Sequence, residues 1–162
     1  MIDLPHIKGN IASFTLISEE EGWKGATLFI SYDDKNYKPI ASANIQSTYG
    51  YVIEFTDDEI VVVLRFGQLD VINSTALALI GKEVIQFQDT KLIDKNKYKL
   101  SNLIRGQEST KRYEHTTGEK FVLLDDSIIS FEVQKGKKLY LKAVTYGDSL
   151  DNTETKVLTV DN

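Results

Sequence analysis

Along the chain, β-branched and aromatic residues fall in short runs, each closed by Gly, Asn, Asp or Ser, and no stretch sustains an apolar repeat of helical period. That pattern predicts an all-β protein, built as an antiparallel sandwich or barrel-like sheets, with two small packed subdomains as one form of it. The first unit is a hairpin: strands over 26–31 and 37–43 flank Tyr32-Asp33-Asp34-Lys35-Asn36, a run of turn formers. Asp57-Asp58-Glu59 then precedes a continuous apolar run over 60–66, which suits a central strand covered on both faces and ending at Gly67.

The stretch 73–81 holds Ala76-Leu77-Ala78-Leu79-Ile80, too short for a stable helix without support, and reads as a connector. A boundary there divides the chain into subdomains 1–75 and 76–162. In the second, 83–87 alternates partly, as a half-buried strand does. Strand-like runs follow at 97–100, 120–124, 127–133, 137–145 and 156–160, with Asp125-Asp126 and Gln134-Lys135-Gly136 as turns, suggesting a meander or barrel-like sheet.

Composition narrows the function classes. A formal net charge of -5 provides no field for phosphate backbones, so a nucleic-acid partner is not expected, and the basic stretch 135–138 reads as a solvated turn. The chain has no cysteine, which rules out disulfides and thiolate zinc sites, and two histidines are too few for a His-rich centre. No metal or other cofactor is expected. The first ten residues lack the apolar core of a secretory signal, and no apolar run is long enough to span a bilayer, so a soluble protein without membrane insertion is expected.

Four runs occur in a characteristic order: 81–87 (GKEVIQF), 98–106 (YKLSNLIRG), 115–124 (HTTGEKFVLL) and 140–147 (YLKAVTYG). Together with 22–33 (GWKGATLFISYD), they resemble the C-terminal part of the large tail-tip, or host-specificity, protein of gene transfer agents and related phage tails. One departure lies at Gln107-Glu108-Ser109-Thr110, where Ser109 stands in place of a second glycine and implies a differently shaped loop. The family's proteins are much longer, with hub, barrel and glycosidase-like parts ahead of this region. The resemblance therefore implies a fragment of a host-specificity protein without the catalytic part.

The expectation is a non-enzymatic structural and interaction module of a tail tip or baseplate. Its partners would be other tail-tip or baseplate proteins. The chain would be cytoplasmic during assembly and then part of a phage-like particle tail, monomeric in isolation although tail tips are often threefold. The alternative is a carbohydrate-binding adhesin domain that recognises host surface polysaccharide. A third reading, a hydrolase working through paired carboxylates, needs two of them at about 5 to 10 Å in one cleft.

Three residues are candidates for ligand binding. Trp23, near Tyr32, Tyr37, Tyr49 and Tyr51 in sequence, could stack on a sugar, although aromatic rings also fill β cores. Arg105 could make bidentate bonds to a sugar or carboxylate, yet such an arginine more often holds a loop against carbonyls or an acidic side chain. His115 leads into a strand and has no nucleophile and orienting carboxylate beside it in sequence, so it reads as a loop-ordering residue. The acidic groups Asp33-Asp34, Asp57-Asp58-Glu59 and Asp125-Asp126 match no EF-hand spacing and read as turns.

Overall fold

A computed structural model describes residues 2–44, 46–70 and 75–161, and their regular structure is antiparallel β throughout apart from one 3-10 turn at Leu150–Asn152. In chain order the strands begin with β1 (Ile2–Lys8), β2 (Ile11–Leu16), β3 (Ala26–Ser31) and β4 (Lys38–Ala43). The middle of the chain forms β5 (Tyr49–Phe55), β6 (Glu59–Phe66), β7 (Ala76–Ile80), β8 (Glu83–Phe87), β9 (Asp89–Asp94), β10 (Lys97–Ser101), β11 (Ile104–Gln107) and β12 (Lys120–Leu123). The end adds β13 (Ile129–Glu132), β14 (Lys138–Thr145) and β15 (Lys156–Thr159). The all-β expectation holds.

These strands form two compact units, Met1–Gln46 with Asp126–Asn162, and Ser47–Asp125. A single cut between 75 and 76 does not follow this division. It would separate β5 from β12, which pair antiparallel from Tyr51↔Lys120 to Tyr49↔Val122, and β6 from β10. The reason is topological: antiparallel pairing joins β3 to β14 and β2 to β13 across the whole middle of the sequence, so the first unit is discontinuous.

The first unit has sheets ordered β1-β2-β13 and β15-β14-β3-β4, a seven-stranded Greek-key arrangement of the kind used by immunoglobulin-like sandwiches. Its core gathers Phe14 and Leu16 of β2, Leu28 of β3, and Leu139 and Leu141 of β14, residues at alternate positions that share one face of each strand. Trp23 packs against this core.

The second unit is an eight-segment sheet in the order β11-β8-β7-β12-β5-β6-β10-β9. Its two ends belong to one bent hairpin. Only Gln88 separates β8 from β9, and only Asn102 and Leu103 separate β10 from β11, while β9 pairs with β10 and β8 with β11. The sheet therefore curls back on itself as a barrel. Its interior holds Val52, Ile60, Val62, Leu64, Ile80, Ile85, Phe87, Leu100 and Phe121. As expected, β6 is buried almost continuously from Ile60 to Leu64 and lies between two neighbours.

Two local readings change. Ala76–Ile80 is a strand, not a connector, because pairing with both β8 and β12 stabilises an apolar run too short to show its period. Residues 73 and 74 of that stretch lie outside the described residues. Strand β8 is buried at Glu83, Val84, Ile85 and Phe87, more than its partial alternation suggests, because barrel and loop cover both of its faces.

Candidate functional site

Period-2 alternation puts Glu83 on the same face of β8 as Ile85 and Phe87, both core residues, so the strand carries a carboxylate toward the barrel interior. A charge there needs partners. Glu83 is fully buried, and five donors converge on it. Arg105 Nε (2.7 Å) and the Gly106 N–H (2.9 Å) donate to Oε1. Arg105 Nη2 (2.9 Å) and the Tyr113 N–H (2.9 Å) donate to Oε2, with His115 Nε2 at 2.7 Å from the same oxygen. Burial alone would raise the Glu83 carboxyl, but the bonds from Arg105, Tyr113, His115 and Gly106 outweigh it and hold it at about 2.

The network extends outward in two directions. His115, whose side chain is 1% exposed, also has Nδ1 at 2.6 Å from Glu119 Oε2. Arg105, 10% exposed, donates through Nη2 to the Tyr113 carbonyl (2.5 Å) and through Nη1 to Asp57 (3.2 Å). The Phe55 ring lies 4.9 Å from the Arg105 guanidinium carbon and 4.5 Å, centre to centre, from the His115 ring. Glu83 raises the Arg105 pKa further, against the opposing effect of burial.

These bonds fix the long segment between β11 and β12, which has no regular structure of its own. Its start is a tight turn, with the Thr110 N–H donating to the Gln107 carbonyl (3.0 Å) and both Glu108 and Ser109 left-handed at φ 53° and 65°. The Thr110 hydroxyl accepts from the Val84 N–H (3.0 Å), tying the turn to β8. Ser109 thus keeps the left-handed backbone that a glycine favours at its position, at the steric cost of a Cβ. At the far end Thr117 Oγ1 donates to the Ile53 carbonyl (2.9 Å) and the Gly118 N–H to Val52 (2.8 Å).

In front of the network lies an open cleft of about 630 Å³, lined by Phe55, Thr56, Asp57, Arg112, Tyr113 and Glu114 together with edges of Arg105 and His115. Asp57, 73% exposed, accepts from Arg112 Nη2 at 2.6 Å as well as from Arg105. Chemically, the buried carboxylate and imidazole are sealed from a reagent, whereas the cleft offers exposed donors, acceptors and an aromatic ring.

The sequence candidates separate accordingly. Arg105 and His115 come together through Glu83, with their polar atoms engaged inside the protein. Trp23 belongs to the other unit, half-buried, with Nε1 donating to Thr145 Oγ1 (3.3 Å). The five aromatic residues do not form one surface within a unit: Trp23, Tyr32 and Tyr37 lie in the first, Tyr49 and Tyr51 in the second, and Tyr49 is buried. Asp33 is a turn residue, its carboxyl held well below the ordinary range by Asn36 and by the Lys35 N–H and Ser31 hydroxyl. Asp57 begins the turn between β5 and β6 and also reaches the arginines. Among the described residues, no group of three or more His, Cys, Asp or Glu side chains is arranged to hold a metal ion.

Sequence reasoning missed Glu83, although a carboxylate between Val, Ile and Phe neighbours at an inward position was the available signal. It also missed Arg112 and Tyr113, which carry no pattern. No curated protein matches the chain. Residues 54–122, within the second unit, match the family described as Rcc01698-like, C-terminal, whose members are related to gene transfer agents.

Proposed function

We propose that the chain is a non-enzymatic structural and interaction module of a phage-like tail tip or baseplate. The family match over residues 54–122 carries this reading. It coincides with the barrel, from the end of β5 through β12, so the likeness concerns a folded unit and not a scattered motif. The chemistry of the Glu83 network supports the same conclusion. A carboxylate that accepts from five donors, beside an imidazole with both nitrogens engaged, is built to hold a loop in one shape. A rigid loop suits a docking part, since ordering it on contact costs little.

The test is to tag the chain at its C-terminus, purify particles from the cells that encode it, and locate the tag by immunogold electron microscopy. Labelling at one end of the tail is expected. Particles that lack the chain, or carry it on the capsid, would sink the proposal.

A further inference from the structure

We infer that the cleft in front of Glu83 and Arg105 is a binding site for a neutral saccharide, with Asp57, Arg112, Tyr113 and Glu114 as its contact residues. The inference rests on the interaction-module reading and names a ligand for it.

Sugar hydroxyls each donate and accept, so a site for them needs both kinds of planar group at fixed spacing, together with a flat apolar face for ring C–H groups. The cleft has all three. Asp57 uses Oδ1 for the two arginines, and its Oδ2 makes no bond among the described residues. Among the described residues Arg112, 58% exposed, has a single side-chain bond, to Asp57, which leaves its other N–H groups available to a ligand. Glu114 is exposed and its side chain makes no hydrogen bond among the described residues, and Tyr113 is 41% exposed.

The Tyr113 ring is also held on a fixed stem. Its backbone N–H donates to buried Glu83 and its carbonyl accepts from nearly buried Arg105, so both sides of its Cα are anchored to the network. This anchoring gives the buried ion pair a purpose beyond stability: it sets an aromatic face beside the Asp57–Arg112 pair. A volume of about 630 Å³ lies within the range of small-molecule sites.

Charge selects the ligand class. Arg105 is neutralised by Glu83, Arg112 is paired with Asp57, and the lining carries a further carboxylate, Glu114. The site has no positive excess for a phosphate or a uronic acid, and its charged lining is unsuited to an apolar molecule. A neutral polyol is the class that matches.

The experiment titrates the isotope-labelled full chain with maltose, cellobiose, lactose and diacetylchitobiose, and separately with glucuronate, followed by amide NMR. At least one neutral disaccharide is expected to shift amides of residues 55–57 and 112–115. Arg112→Ala and Tyr113→Ala should each weaken that binding about tenfold or more while leaving the thermal melt unchanged. The inference falls if no neutral disaccharide moves those amides up to about 10 mM, where a millimolar site would be largely filled. It also falls if glucuronate binds more tightly, or if the shifts map elsewhere. An Arg112→Ala chain that still enters particles shows the module reading standing by itself. A sugar-binding chain that is absent from particles shows the reverse.

Discussion

Replacing Glu83 by glutamine keeps the size and shape of the side chain but removes its charge and turns one oxygen into a donor. Whichever way the amide is placed, its NH2 opposes N–H groups that have lost their acceptor. At the Oε1 position these are Arg105 Nε and the Gly106 N–H, and at the Oε2 position there are three, from Arg105, Tyr113 and His115. Arg105, only 10% exposed, also loses its close counter-charge and keeps just the exposed Asp57 at 3.2 Å. Breaking a buried pair from one side costs about 3–5 kcal/mol, and the residual Asp57 contact places this case near about 3 kcal/mol. For a unit of this size, each kcal/mol lowers the melting temperature by roughly 4–8 °C, so a fall of roughly 12–24 °C is expected in the barrel transition. Differential scanning calorimetry of the full chain reads it, with Glu119→Gln as the comparison, since that half-buried carboxylate bonds only to His115 among the described residues and should cost about 1 kcal/mol. A fall of less than about 4 °C for Glu83→Gln would refute the view that this carboxylate holds the loop.

The same group makes the barrel acid-sensitive. Its carboxyl titrates near 4.5 when free and near 2 when folded, so between those values the unfolded chain binds more protons, and stability is lost as pH falls through that window. Urea melts between pH 6 and 2 should show a loss on the order of 3 kcal/mol, and Glu83→Gln should flatten that slope. Ser109→Gly relieves a left-handed Cβ at φ 65° and should stabilise by about 0.5–1 kcal/mol; a destabilised variant in the same melts would show that the Ser109 side chain matters more than its backbone. Gly50→Ala places a Cβ 2.1 Å from the Val63 carbonyl oxygen and 2.7 Å from Leu64 Cα, backbone atoms that cannot swing aside, so a loss of about 2–4 kcal/mol is expected. An unchanged melt would mean that β5 and β6 are less closely joined than their pairing indicates.

Much of the local structure is legible in the sequence because its causes are local. The Ile60–Leu64 run makes a buried strand from side-chain type alone, and Asp33 makes a turn through bonds to residues two and three positions away. Tertiary structure decided two larger things. One is the division into units, since nothing in β3 or β14 by itself records that they pair across an entire barrel. The other is the cluster of Glu83, Arg105, Tyr113 and His115. Each of these residues has the same chemistry on a solvated surface, and only the curling of the bent β8–β11 hairpin brings them within hydrogen-bond reach. The sequence determined that the chain would be all β and where most of its turns would fall, because periodicity and turn chemistry act over a few residues. Which charges are buried and which face the cleft depends on pairing between distant strands, and it is settled only when the barrel closes.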